Sequence, residues 1–146
     1  DVLILGDGQM LNQAVLNIIK NSIESILTAK DSRLLNDGDK IGEIKIFIQC
    51  QQGEVCISIL DNGIGLPKNI KRLFEPYVTI RKEGTGLGLS IVKKIIEDHE
   101  GNLILQPSKP FKGCDHSGAE VKIMLPIIDS SNNVQLEKEV TEVNGK

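Results

Sequence analysis

Gly84-Thr85-Gly86-Leu87-Gly88-Leu89-Ser90 runs without a break into Ile91-Val92-Lys93-Lys94-Ile95-Ile96-Glu97-Asp98-His99. Ile91, Val92, Ile95 and Ile96 recur at helical spacing, which predicts a helix over 87–100 with Gly101 as its C′ residue. The alternating glycines before it permit φ > 0, so successive backbone N–H groups can curl around an anion. The helix behind them offers its positive end to the same anion. Arg81 and Lys82 stand just upstream as cationic donors. The stretch is not a P-loop, which needs Gly-Lys-Ser/Thr, nor a dinucleotide fingerprint, because Leu89 stands where the third glycine belongs. Leu87 and Leu89, leading into an amphipathic helix, also set it apart from a flexible linker.

Two segments upstream carry matching chemistry. Asp61-Asn62-Gly63-Ile64-Gly65 ends an alternating run, Val55, Ile57 and Ile59 against Cys56, Ser58 and Leu60. An aspartate at a strand end, followed by two glycines, lets backbone approach a flat ligand, and its carboxylate accepts a hydrogen bond from an exocyclic amine. The same letters also write an ordinary Asp-Asn-Gly turn. Further upstream, Asn17 and Asn21 are spaced i, i+4, which points both carboxamides the same way on a helix. A carboxamide oxygen is a hard ligand suited to Mg²⁺, which takes few protein ligands beside phosphate and water. Taken alone, the pair also reads as solvated helix surface.

The remaining text supplies a scaffold. Val2 to Leu5 reads as a short strand, and Asp7 as the N-cap of a helix from about 8 to 28 whose apolar stripe includes Leu11, Val15, Ile18, Ile19, Ile23, Ile26 and Leu27. Ile44, Ile46, Ile48 and Cys50 form the first arm of a hairpin turned near Gln52-Gly53. Residues 68–75 suggest a short helix stopped by Pro76, and residues 77–88 a mobile, glycine-rich segment. Strands are expected at 103–105 and 119–125, joined by a Pro/Gly-rich loop over 107–118. The expected fold class is α+β, a two-layer α/β sandwich with a mixed sheet and helices packed on one face. The domain spans 1–127, and 128–146 reads as a disordered polar tail.

Composition narrows the class of function. Aromatics are 3% of the chain and net charge is −3, which argues against a base-stacking platform or a nucleic-acid surface and demands an aliphatic core. Cys50, Cys56 and Cys114 lack metal spacing and leave one cysteine over in any disulfide scheme, so they read as reduced thiols in or near the core of a cytoplasmic domain. No apolar run approaches the ~20 residues needed to span a membrane, and no leader is visible. The abrupt start at Asp1-Val2-Leu3 suggests that the sensor, anchor and dimerisation segments lie elsewhere in a parent protein, itself anchored in the inner membrane.

In order and spacing, these segments resemble the GHKL (Bergerat-fold) ATPases, and among them the catalytic domains of bacterial sensor histidine kinases. Asn17 to Asn21 looks like the N box, Asp61 to Gly65 the G1 box, Leu73-Phe74-Glu75-Pro76-Tyr77 the F box, Gly84 to Gly88 the G2 box, and Gly118 to Pro126 the closing strand. Glu75-Pro76-Tyr77-Val78-Thr79 with the 84–99 run is most similar to nitrogen-regulation kinases of the NtrY type. The resemblance covers residues 1 to about 127.

The resemblance implies binding of ATP and Mg²⁺, with Asn21 as metal ligand and Asn17 near the γ-phosphate and the metal. Asp61 would read the adenine amine beside Gly63, Ile64 and Gly65, with Ile19 and Leu87 as apolar neighbours. Lys20, Tyr77, Thr79, Arg81, Lys82, Gly84, Thr85, Gly86 and Gly88 complete the implied ATP-binding set, with Arg81, Lys82 and Thr85 in a mobile ATP lid and Gly84, Gly86, Leu87 and Gly88 in the phosphate-binding backbone. ATP-hydrolysing relatives carry a glutamate at the first N-box position. Asn17 lacks that basicity, which favours transfer to a protein acceptor over hydrolysis. Glu24 stands where many sensor kinases place a cation, and Ala119 where many have a threonine. His99 and His116, the two histidines present, lack the flanking pattern of a phosphoacceptor. The implied partners are therefore a separate histidine-containing dimerisation domain and a response regulator, with a monomeric fragment and a homodimeric parent. Other readings on the same fold are a hydrolysing ATPase, a serine kinase of the anti-sigma-factor kind and a non-catalytic nucleotide-sensing module.

Overall fold

The computed structural model describes residues 2–32, 35, 42–76 and 86–128. Asp7 starts the first helix, α1 (Gly8–Asp31), by accepting the Gln9 and Met10 backbone N–H groups on Oδ1 at 2.8 and 3.1 Å. Strands β1 (Ile44–Gln51) and β2 (Glu54–Asp61) form the expected hairpin. Gln52 and Gly53 both take positive φ, 51° and 80°, the two-residue turn whose twist matches that of paired strands. A single 3₁₀ turn (Ile70–Phe74) precedes α2 (Gly88–Asp98), and β3 (Asn102–Pro107) and β4 (Ala119–Pro126) close the chain.

The sheet order is β1-β2-β4-β3. Every strand pairing among the described residues is antiparallel, where a mixed sheet was expected. The first segment accounts for the difference. Leu3 makes one bond, its carbonyl accepting the Ile128 N–H at 2.9 Å, and 2–5 does not form a strand. Ile4 packs against the core, but Val2, Leu3 and Leu5 stay exposed, so little burial offsets the ordering cost of a fifth strand.

The two helices lie on one face and enclose an aliphatic core of Ala14, Ile18, Val55, Ile59, Val92, Ile95, Ile96, Val121, Ile123 and Leu125. The composition requires this, since the chain has one tyrosine, three phenylalanines and no tryptophan. Period-2 alternation in β4 places Val121, Ile123 and Leu125 inward, with Lys122 and Met124 on the other face. β1 obeys the same register, Ile46 opposite Ile59 and Ile48 opposite Ile57, yet these side chains are 49% and 67% exposed because β1 is an edge strand. For the same reason Cys50 is exposed rather than near the core, while Cys56 and Cys114 are half-buried and all three are free thiols.

The end of α2 departs from expectation by one residue. Glu100, not Gly101, is the C′ residue: it takes φ 56°, its N–H donates to the Glu97 carbonyl at 3.0 Å, and the Gly101 N–H donates to Ile96 at 2.9 Å. This is the paired bonding of a Schellman motif. Gly101 is glycine for another reason, since a Cβ there would stand 2.5 Å from the Met124 carbonyl oxygen.

Candidate functional site

Helix α1 organises the site along one flank. Asn17, Asn21 and Ser25 follow one another at i, i+4 spacing, about 6 Å per step along the axis. At the middle step, a Cβ built on Gly88 would lie 3.9 Å from Asn21 Nδ2, so the first residue of α2 faces that carboxamide. No side chain caps the start of α2, and Ser90 Oγ donates instead to the Leu87 carbonyl at 2.9 Å. The leading N–H groups of α2 therefore offer an anion site beside Asn21.

At the far step, α1 meets the end of β2. Asp61 is 3% exposed, and its Oδ1 accepts the Gly63 N–H at 2.9 Å, the Ala119 N–H at 3.4 Å and Ser25 Oγ at 3.4 Å. Burial pushes the Asp61 carboxyl above the usual carboxylate range, while Gly63, Ser22, Ala119 and Ser25 each pull it down by bonding to the ionised form. A desolvated acceptor held by four donors is suited to an amine that enters the site. The turn after it is tightly seated. A Cβ on Gly63 would collide with Ser25 Oγ, and Gly65, at φ 77°, would place one 2.7 Å from the Ser117 carbonyl oxygen. These positions leave no room for side chains, so backbone itself forms the wall.

The structure thus brings Asn21, Asp61, Gly63 and Gly88 to the flank of α1 that carries Asn17, with Gly65 against the Ser117 carbonyl, Leu87 as the N-cap residue of α2 and Gly86 at φ 68° before it. Ile64 diverges: its side chain packs with Ile26, Ala29 and Leu35, and its N–H donates to the Ser25 carbonyl at 3.3 Å. Ile19 packs against the main core. Lys20 is exposed, about 100° around the helix from Asn21. Tyr77, Thr79, Arg81, Lys82, Gly84 and Thr85, and with them the expected lid, lie outside the described residues, as does the tail from residue 129.

Several site residues carried no motif. Ser22 and Ser25 hold Asp61 from α1, and the one signal for them was a pair of hydroxyls inside an apolar stripe. Ala119, lacking a hydroxyl, reaches Asp61 through its backbone N–H. The loop 107–118 folds back on the turn: Ser108 Oγ donates to the Asp61 carbonyl at 3.3 Å, and His116 Nε2 lies 3.2 and 3.1 Å from the carbonyls of Asn62 and Gly63.

Residues 6–129 match the family model described as histidine kinase-, DNA gyrase B-, and HSP90-like ATPase. The chain is 40% identical over 108 residues to nitrogen regulation protein NtrY of Azorhizobium caulinodans, covering 73% of this chain and 13% of that protein. It is 36% identical over 127 residues to sporulation kinase B of Bacillus subtilis, covering 86% of this chain and 26% of that one. The chain thus spans between 13% and 26% of the length of these two relatives. Among solved structures, the mycobacterial sensor histidine kinase MprB superposes with a TM-score of 0.66 at 26% identity, covering 85% of this chain and 74% of that one. The catalytic domain of histidine kinase ThkA gives 0.65 at 27%, covering 84% and 70%.

Proposed function

Because this chain belongs to the family of histidine kinase-, DNA gyrase B- and HSP90-like ATPases, we propose that it is the ATP-binding catalytic domain of a two-component sensor histidine kinase. It would transfer the γ-phosphate of ATP to a histidine on a separate dimerisation domain, for relay to a response regulator. The observation that carries this reading is the single flank of α1 that lines up Asn21, the bare start of α2 and the buried Asp61.

The donor set fits a magnesium-nucleotide. Asn21 offers one hard oxygen, with Asn17 one turn away, and α2 offers N–H groups to phosphate oxygens. Bound Mg²⁺ would supply neutralisation of phosphate charge. Asp61, held by its donors, orients the adenine through its exocyclic amine. Gly63 and Gly65 let the backbone approach the ring. Asn17 does not take a proton from water at neutral pH, so these residues act by positioning rather than as a general base. Arg81, Lys82, Gly84 and Thr85 join the phosphate-binding set as part of this reading. The rings of His99 and His116 are both held against backbone groups, which supports an acceptor histidine on another domain.

Transphosphorylation tests the reading. The chain is mixed with γ-labelled ATP, Mg²⁺ and the dimerisation domain of its parent. Label should appear on a histidine of that domain and disappear with Asn21→Ala or Asp61→Ala. Release of inorganic phosphate without a labelled histidine would favour a hydrolysing ATPase instead.

A further inference from the structure

The loop 107–118 has a structure of its own that the nucleotide-binding motifs do not require. Phe111 is buried under the Lys45 ammonium, 4.3 Å from the ring centroid, and the Cys114 N–H donates to the Phe111 carbonyl at 2.9 Å. The Ser108 N–H donates to Gly118 at 3.1 Å, closing the loop at its base. His116 is directed from this frame onto the turn that follows Asp61.

The chemistry of the contact assigns the proton. Both partners of Nε2 are carbonyl oxygens, which only accept, so Nε2 must carry hydrogen and donate to both. Among the described residues, Nδ1 is the buried side-chain atom with no hydrogen-bond partner, 3.8 Å from the nearest Asp115 oxygen.

The two carbonyls belong to consecutive peptide units, and the opposite ends of those units are also held. The unit containing the Asn62 carbonyl carries the Gly63 N–H, which donates to Asp61 Oδ1 at 2.9 Å. The next unit, with the Gly63 carbonyl, carries the Ile64 N–H, which donates to the Ser25 carbonyl of α1 at 3.3 Å. A donor on the oxygen of a peptide polarises its N–H and strengthens the bond that N–H makes. His116 therefore acts on Asp61 through one rigid, planar group.

We infer that His116 is a positioning residue for base recognition, fixing the 62–64 peptides so that Gly63 holds the Asp61 carboxylate in the orientation that reads a purine 6-amino group. This rests on the nucleotide-binding reading above. It adds a base-selectivity role for a loop outside the family motifs. Discrimination against a 6-oxo purine depends on that carboxylate keeping a single direction. Without the imidazole donor, the turn and the carboxylate gain freedom, and preference for the amine falls while the phosphate contacts at α2 remain.

The test compares binding of ATP and inosine triphosphate, with Mg²⁺, to the 146-residue chain by calorimetry. Inosine triphosphate differs at the base by an oxygen in place of the amine. The wild type should prefer ATP. His116→Phe, which keeps a ring but no donor, should reduce that preference roughly tenfold, chiefly by weakening ATP. His116→Gln, whose amide donates, should restore most of it. Equal weakening of both nucleotides, or no change, in a folded His116→Phe chain overturns the inference and leaves the nucleotide-binding reading intact. Failure of the wild type to bind either nucleotide overturns both. Should His116→Phe not fold, nitrogen-15 NMR of the wild-type imidazole decides: protonated Nε2 is expected, and a ring protonated on Nδ1 alone overturns the assignment.

Discussion

Asp7 and His99, at opposite ends of the two helices, meet directly: the Asp7 backbone N–H donates to His99 Nε2 at 2.9 Å. The same ring's Nδ1 lies 2.6 Å from the Ile95 carbonyl oxygen. An acceptor on one side and a donor requirement on the other define a neutral imidazole protonated on Nδ1. The residue that caps α1 is thereby tied to the last turn of α2, at the opposite end of the helix pair from Asn21 and Gly88.

His99→Ala should therefore destabilise the domain by about 2 kcal/mol, the loss of two hydrogen bonds and partly buried ring contacts. Thermal unfolding measures this. Nucleotide affinity at a temperature where the variant is folded should change far less than with Asn21→Ala. An unchanged melting temperature would remove the tie from the account of how the helices are held.

Asp61 makes stability and binding depend on pH in opposite directions. Its carboxyl is raised by burial, so the folded state holds the proton more tightly than the unfolded chain. The nucleotide-free domain then loses stability as pH rises from the ordinary carboxylate value through the raised one. ATP affinity should rise over that window, because the 6-amino group needs the ionised acceptor. Asp61→Asn should flatten the stability profile and weaken ATP binding at least tenfold at neutral pH. Melting curves and calorimetric titrations over roughly pH 4 to 7 test both signs.

The turn after α2 separates two uses of glycine. Glu100→Gly should stabilise by about 0.5–1 kcal/mol by relieving the left-handed conformation. Gly101→Ala should cost about 2 kcal/mol or more, since its Cβ meets the Met124 carbonyl. Denaturant midpoints would reverse the C′ assignment if Glu100→Gly were the harmful change.

Asn21 is half-buried on α1, outside the apolar core. Asn21→Ala should keep the unfolding free energy within about 1 kcal/mol of the wild-type value and abolish the part of ATP affinity that depends on Mg²⁺. Equal affinity with Mg²⁺ and with chelator in the wild type would exclude Asn21 as a metal ligand.

Sequence by itself determined the elements and the motif residues whose logic is local: the Asp7 cap, the hairpin at Gln52-Gly53, the helical stripe through Ile18 and the alternation in Val121, Ile123 and Leu125. Each depends on a periodicity or a turn geometry written within a few residues. Tertiary structure alone decided that Ser22, Ser25 and Ala119 hold Asp61, that His116 holds the turn beside it, and that His99 joins the two helices. It also decided that Ile46 and Ile48 remain exposed on an edge strand and that Glu100 takes the C′ position. These contacts join residues far apart along the chain. A lone serine or histidine has no period, and its partner is set only when packing of the sheet and helices brings their backbones together.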